Sequence, residues 1–293
     1  MKYGAIDIGT NAARLLVGEL TKENGHRFIK KVSYTRIPLR LGEEVFDSGE
    51  ISKKKLNDFV KTIQAFRLIS EIFDVKELRA CATSAMREAT NGKEVQKKIL
   101  KETGVDIEII SGDDEASLIF GTFALLDIDK ELPYIVVDVG GGSTEISVFE
   151  NGERVAAKSF NLGTLRLLKG KADKNAWKEI SAWIKSSVEV EVPHKVFGTG
   201  GNINKAHKML GAQYMEAIEL KELEELKDNL AAVSVEQRVE KFQLKPDRAD
   251  VIVPALEIYS YIMRALKSRQ IHVPKIGLSD GIIFDLNEKH KTD

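Results

Sequence analysis

The chain is 293 residues long, enough for two domains with separate cores, and its 43% hydrophobic and 30% charged content describes a folded globular protein rather than a disordered or fibrous one. Forty-four basic against 45 acidic side chains leave a formal charge of -1, so an anion site has to be a local patch, and nucleic acid is not the expected partner. The single cysteine, Cys81, excludes an internal disulfide and a thiolate zinc site. No apolar run reaches the ~18 residues of a membrane span and no basic, apolar leader precedes Tyr3, so a cytoplasmic location without a membrane partner is expected.

Strand-like and helix-like segments alternate, which predicts an α/β fold. Residues 3–8 and 13–20 read as strands around Gly9-Thr10-Asn11, and 27–39 as a third, β-branched and aromatic strand. Leu56, Phe59, Ile63, Phe66 and Ile69 recur at three- and four-residue spacing and predict a helix from an N-cap at Ser52 to about Phe73. A strand over 77–83 and another helix follow. Ile107 to Ile110 is a short strand running into Ser111-Gly112-Asp113-Asp114-Glu115, whose acidic cluster reads as the first turn of a helix to about Leu125. The polar segment 127–133, ending in Pro133, is expected to carry a crossover between domains. Strands are then expected at 134–139, 144–150 and 153–160, helices near 162–170 and 173–190, and a strand at 195–198. A mainly helical stretch, a strand near His272 to Ile276 and a last helix from about Ser279 complete the chain. The expected domains are 1–126 with 281–293, and 127–280.

An internal repeat appears when Ala5-Ile6-Asp7-Ile8-Gly9-Thr10-Asn11 is laid over Val136-Val137-Asp138-Val139-Gly140-Gly141-Gly142. Each copy is an apolar strand with an Asp near its end, a glycine-bearing turn and a returning strand. Such a turn lets backbone N–H groups converge on a phosphate, and Thr10, Asn11, Ser143 and Thr144 add side-chain donors. Asp7 and Asp138, with Glu145 as a third carboxylate, offer the oxygen ligands that suit Mg2+. Either turn alone reads equally well as a hairpin with Gly at positive φ and Asp as a turn residue. Two in matched register favour the ligand site.

Taken together these segments resemble the Ppx/GppA phosphatases of the actin-like superfamily. Ile6-Asp7-Ile8-Gly9-Thr10-Asn11 with Arg14-Leu15 is similar to the first phosphate motif, with Thr10 where Ser is usual. Val137-Asp138-Val139-Gly140-Gly141-Gly142-Ser143-Thr144-Glu145 is similar to the second, and Phe197-Gly198-Thr199-Gly200-Gly201-Asn202 to a third glycine motif. Arg40-Leu41-Gly42, the run from Ala82 to Ala89, Ile110 to Ala116, Arg248 to Ile252 and Gly277 to Gly281 fall in the family's order. The resemblance implies two actin-like (ribonuclease H-like) domains, each a mixed central sheet flanked by helices, with the active site in an interdomain cleft. It also implies a Mg2+-dependent hydrolase, with polyphosphate or guanosine pentaphosphate as substrate. Glu115 would position or deprotonate water and Arg87 would stabilise the phosphoryl. Gly9, Thr10, Asn11, Arg14, Gly140, Gly141, Gly142, Ser143, Thr144, Gly200, Gly201 and Asn202 would bind phosphates, and Asp7, Asp138 and Glu145 the metal.

On the residues alone, Glu115 is also a first-turn acid offsetting a helix dipole, and Arg87 a surface partner of Glu88 or Glu94. Arg14 and Arg40 each sit beside a motif and serve equally well to brace a strand. The turn at Gly198 to Gly201 has a lesser reading as a strand-to-helix turn that needs glycine. The five histidines show no metal-like spacing, and Cys81 reads as an inert core thiol. The family pattern has Arg where this chain has Ser117, so a basic substrate contact is expected to be missing there. Longer members append a helical domain for which 293 residues leave no room. A homodimer is compatible with the family and is not derivable from the residues. A kinase of the same superfamily and a non-catalytic polyphosphate or alarmone sensor stand as alternatives.

Overall fold

The computed structural model describes residues 1–23, 25–129 and 131–291; Lys130, in the expected crossover, and Thr292 and Asp293, at the end of the expected first domain, lie outside the described residues. The chain divides into two compact units, Met1–Asp127 with Ile276–Asp293, and Ile128–Lys275.

The first unit opens with β1 (Tyr3–Ile8), β2 (Ala13–Glu23) and β3 (His26–Ile37), followed by α1 (Leu41–Ser48) and α2 (Lys53–Ile72). β4 (Leu78–Ala82), α3 (Ser84–Glu88), α4 (Gly92–Thr103), β5 (Ile107–Ile109) and α5 (Gly112–Gly121) come next, and a 3-10 turn over Thr122–Leu125 closes the segment. All six residues of β1 are buried, as a central strand covered on both faces requires. Its neighbours give the sheet order β3-β2-β1-β4-β5, antiparallel on the hairpin side and parallel from β1 through β5. The Ser52 side chain accepts the Lys55 N–H and caps α2. Helix α1 was not expected: it is short and starts from Arg40 in the left-handed region (φ 51), without a capping side chain to announce it. Cys81 is fully buried, and burial pushes its thiol up to about 12, in keeping with an inert core residue.

The second unit repeats the plan with β6 (Tyr134–Val139), β7 (Thr144–Glu150), β8 (Glu153–Phe160), α6 (Thr164–Leu168), α7 (Ala176–Ser187) and β9 (Lys195–Thr199). It continues through α8 (Gly201–Met209), β10 (Ala217–Glu219), α9 (Leu220–Ala231), α10 (Val235–Phe242), α11 (Pro246–Ala249), α12 (Ile252–Ala265) and β11 (Gln270–His272). The sheet order is β10-β11-β9-β6-β7-β8. Starting from β8, five strands take the same path as the first sheet does from β3, with β10 added at the edge. β10 has three residues and no alternation to mark it. Ile135, Val137, Ile146 and Val148 on the sheet pack with Leu256 and Ile262 of α12 in one apolar core.

The chain re-enters the first unit at Ile276, ahead of α13 (Leu278–Lys289) rather than inside it at the expected 280/281 boundary. Among the described residues no helix is long and apolar enough to cross a membrane. α13 packs on α5 so closely that a Cβ at Gly281 would run into the Leu118 carbonyl. Gly281→Ala is therefore expected to be destabilising although Ala favours a helix by about 1 kcal/mol. The clash is with backbone, and overpacking of this kind costs about 1–3 kcal/mol, with more where nothing can yield. A thermal melt checks this, and an unchanged or raised Tm would contradict it.

Candidate active site

In the first unit, the turn after β1 is closed by the Gly9 N–H donating to the Ala12 carbonyl at 3.1 Å. The carbonyls of Thr10 and Asn11 accept the N–H groups of Gly42 (3.0 Å) and Arg40 (2.9 Å). The start of α1 thus holds the turn's oxygens on one side, and a turn held this way presents its N–H groups on the other. Arg40 itself pairs with Glu43 at 2.7 Å, which makes it a brace. Asp7 is buried, faces Arg14 across the β1–β2 ladder and is bonded to it at 2.6 Å. Arg14, expected at phosphate, is thereby engaged with the carboxylate expected at metal.

The Thr83 N–H donates to the Ile8 carbonyl at 3.1 Å and so places α3 beside the first turn. Arg87, on α3, donates to the Ile110 carbonyl at 2.7 Å and lies 3.7 Å from Glu115. Its ion pair is to Glu115 and not to Glu88 or Glu94. Ser111 caps α5 through a box with Asp114, and this sets Glu115 in the first turn with its side chain only 15% exposed. The turn, Arg87 and Glu115 therefore all lie just past the C-terminal ends of the parallel strands β1, β4 and β5, the edge at which α/β sheets bind ligands.

Ser117 does not join them. Residues two apart on a helix point about 160° apart, and Ser117 lines a separate cavity of ≈ 620 Å³ with Asp285, Glu288 and Phe284 of α13, its hydroxyl donating to the Asp113 carbonyl. The expected loss of a substrate contact at this position is corrected accordingly: a side chain here faces the cavity, on the far side of α5 from Glu115. Ser117→Arg is expected to leave kcat/KM within about twofold and to change Tm little, because the cavity's Asp285 and Glu288 are already paired with Arg79, Lys289, Arg27 and Lys291. A changed chain-length preference in a polyphosphate ladder assay would count against this placement.

The second unit closes its turn with the same bond as the first and likewise ties the turn's carbonyls to the helix that follows the sheet's hairpin, through different groups. The Gly140 N–H donates to the Ser143 carbonyl at 2.9 Å. The Gly140 and Gly141 carbonyls accept the N–H groups of Thr164 (3.0 Å) and Leu165 (2.8 Å), and the Gly142 carbonyl accepts Arg166 Nε at 2.8 Å. Gly163 has no room for a side chain, because a Cβ there would lie 2.5 Å from the Gly142 N and carbonyl carbon. Thr144 is fully buried and donates its hydroxyl to the Leu162 carbonyl, so it holds the turn and does not face a ligand. Ser143 is also buried.

The two copies differ in charge at one cross-strand position. Where Asp7 faces Arg14, Asp138 faces Glu145, and side chains at such positions stand about 5 Å apart on one face. Glu145 accepts the Ser159 hydroxyl at 2.7 Å. Two carboxylates side by side repel unless a cation stands there, and an all-oxygen pair suits Mg2+, which commonly takes one or two carboxylates with waters and substrate phosphates. No group of three or more metal-binding side chains occurs among the described residues, so the donors fit a cation completed by substrate and water. The metal fit therefore rests on Asp138 and Glu145, whereas Asp7 is engaged by Arg14.

The third glycine turn adjoins this pair. Gly200 has φ 107, and a Cβ on it would lie 3.0 Å from Asp138 Oδ1. Gly201 and Asn202 begin α8, at the C-terminal end of β9. Tyr259 of α12 is fully buried; its hydroxyl donates to the Thr199 carbonyl and accepts the Val139 N–H at 3.2 Å. Burial first, and the Asp138 carboxylate next, hold its phenol well above the ordinary range. Gly163, Arg166 and Tyr259 were not singled out from the sequence. Gly163-Thr164 between a strand and a helix was a usable signal for a helix start, whereas Tyr259 lies in an apolar helix with nothing local to mark it.

Known proteins resemble this chain over nearly all of its length. The Ppx/GppA phosphatase family model matches residues 20–290. Exopolyphosphatase 1 of Mycobacterium tuberculosis is 27% identical over 304 residues, covering 97% of this chain and 88% of that protein. A bifunctional 3-dehydroquinate synthase/phosphatase of Fusobacterium nucleatum is 30% identical over 286 residues, covering 88% of this chain and 42% of that protein. The crystal structure of an exopolyphosphatase from Cytophaga hutchinsonii superposes with a TM-score of 0.83 at 22% identity, covering 99% of this chain and 98% of the other. The Aquifex aeolicus member of the Ppx/GppA family does so with 0.78 at 20% identity and the same coverage. These likenesses in fold extend over both units, and with the family match across most of the chain they place it: it belongs to the Ppx/GppA phosphatase family.

Proposed function

We propose that this protein is a Mg2+-dependent phosphohydrolase that releases the terminal phosphate of inorganic polyphosphate, with guanosine pentaphosphate as a second substrate of the same chemistry. The observation that carries the hydrolytic reading is the Glu115–Arg87 pair, 3.7 Å apart at the ends of β4 and β5. Glu115 takes a proton from water as its oxygen bonds to the terminal phosphorus; the anhydride P–O bond breaks, and inorganic phosphate and a chain one unit shorter result. Arg87 presents its guanidinium to the charge that builds on the phosphoryl oxygens. Thr10 and Asn11 in one unit, and Gly141, Gly142 and Ser143 in the other, bind phosphates through backbone N–H groups, while Gly9 and Gly140 use theirs to close the turns and supply the room for close approach. Gly200, Gly201 and Asn202 take a further phosphate at the start of α8. Asp138 and Glu145 would hold Mg2+, which when bound neutralises phosphate charge.

Phosphate release from polyphosphates of defined length and from guanosine pentaphosphate, with and without Mg2+, tests the proposal. Release that requires Mg2+ is expected. Tight binding with no phosphate produced, or transfer from ATP to a small acceptor, would replace it with the sensor or the kinase reading. Position 117 gives no ground for a non-catalytic reading, since its side chain faces away from Glu115.

A further inference from the structure

The register of the second sheet pairs Asp138 of β6 with Thr199 of β9. Beyond this pair the next rung of a parallel ladder would join the Val139 N–H to the Thr199 carbonyl. The Tyr259 hydroxyl stands in that place: it accepts from Val139 and donates to Thr199. Both backbone groups are satisfied, yet the strands are held apart by the width of one oxygen. Each strand runs from this gap straight into a glycine turn. On β6 the next residue is Gly140, and on β9 it is Gly200, whose α-carbon lies so near Asp138 that an added Cβ would be 3.0 Å from the carboxylate and 3.5 Å from the tyrosine oxygen.

We propose that Tyr259 is a positioning residue for the metal-binding carboxylates: its hydroxyl spaces the ends of β6 and β9 and so sets where Asp138 stands against Glu145 and Gly200. This rests on the reading of Asp138 and Glu145 as the Mg2+ ligands. Tyr259 touches neither substrate nor metal and acts only through the backbone at residues 139 and 199. Without the oxygen the two backbone groups either close into a direct bond, drawing the strand ends together, or stay apart with a buried N–H and C=O unsatisfied. Closure moves the Asp138 carboxylate, an unsatisfied pair leaves the strand end without the bond that fixes it, and octahedral Mg2+ tolerates either poorly.

The test compares Tyr259→Phe with Tyr261→Phe on the same helix. Tyr261 donates to the Trp177 carbonyl and touches Ser181, so its variant loses a half-buried, hydrogen-bonded hydroxyl away from the carboxylates. Mg2+ binding by calorimetry on the folded proteins without substrate, and kcat and KM with polyphosphate across Mg2+ concentrations, are the readouts. Tyr259→Phe is expected to weaken Mg2+ binding about tenfold or more, with kcat recovering as Mg2+ is raised, while Tyr261→Phe binds as the parent does. Equal Mg2+ affinity in Tyr259→Phe and the parent, or an equal loss in both variants, would overturn the proposal. Should Tyr259→Phe not fold, hydrogen exchange at the Val139 amide of the parent protein decides. Protection is expected with and without Mg2+, and protection that appears only with Mg2+ would overturn it. Failure of the ligand reading itself looks different: Asp138→Asn and Glu145→Gln would then leave Mg2+ affinity unchanged.

Discussion

Glu115→Gln is expected to lower kcat for polyphosphate hydrolysis by about 10²–10⁴-fold, the range a positioned general base contributes, with KM changed little. The amide fills the space of the carboxylate and keeps the first turn of α5 intact, because the cap is made by Ser111 and Asp114 and not by Glu115. What is lost is the proton acceptor. Substrate affinity rests in this reading on the glycine turns and Arg87, so calorimetric binding of a polyphosphate should persist in the variant. That combination, binding kept and turnover lost, is the mark of an interaction made in the transition state. Activity within a few-fold of the parent would remove Glu115 from the mechanism and return it to the role of a first-turn acid.

Gly163→Ala is expected to cost about as much by a wholly different route. The backbone at Gly163 is extended (φ -144), so an alanine is not strained there by its own dihedrals. The added Cβ would nevertheless lie 2.5 Å from the Gly142 backbone and 2.6 Å from the Gly141 carbonyl carbon. Neither is the movable end of a side chain. To regain ordinary contact the turn and α6 must part by about 1 Å, yet the N–H groups of Thr164 and Leu165 are bonded to the very carbonyls that would have to move. Displacements of that size can cost on the order of 10²-fold in rate, and the overpacking itself about 1–3 kcal/mol in stability. Both kcat/KM and Tm should fall. A variant with parental activity and Tm would mean that α6 does not fix the turn.

The repeat was legible because it is local: Asp, one apolar residue and Gly after a buried strand is a pattern of neighbours along the chain. The same holds for the strands 3–8, 134–139 and 144–150, for the cap at Ser52 and for the acidic first turn at Glu115, all set by side-chain periodicity and capping within a few residues. Those features by themselves determined an α/β chain with two matching Asp-Gly turns. Only the tertiary structure decided which groups are engaged. Asp7 meets Arg14, and Asp138 meets Glu145, through ladder registers that depend on how the returning strands pair. Thr144 proved to be a brace through a carbonyl 18 residues away, and what Ser117 faces, a cavity shared with α13, was set by the packing of α13 beside α5. Tyr259 reaches Val139 across 120 residues of sequence. Hydrogen bonds over such separations are set by packing, whose geometry no short stretch of sequence encodes.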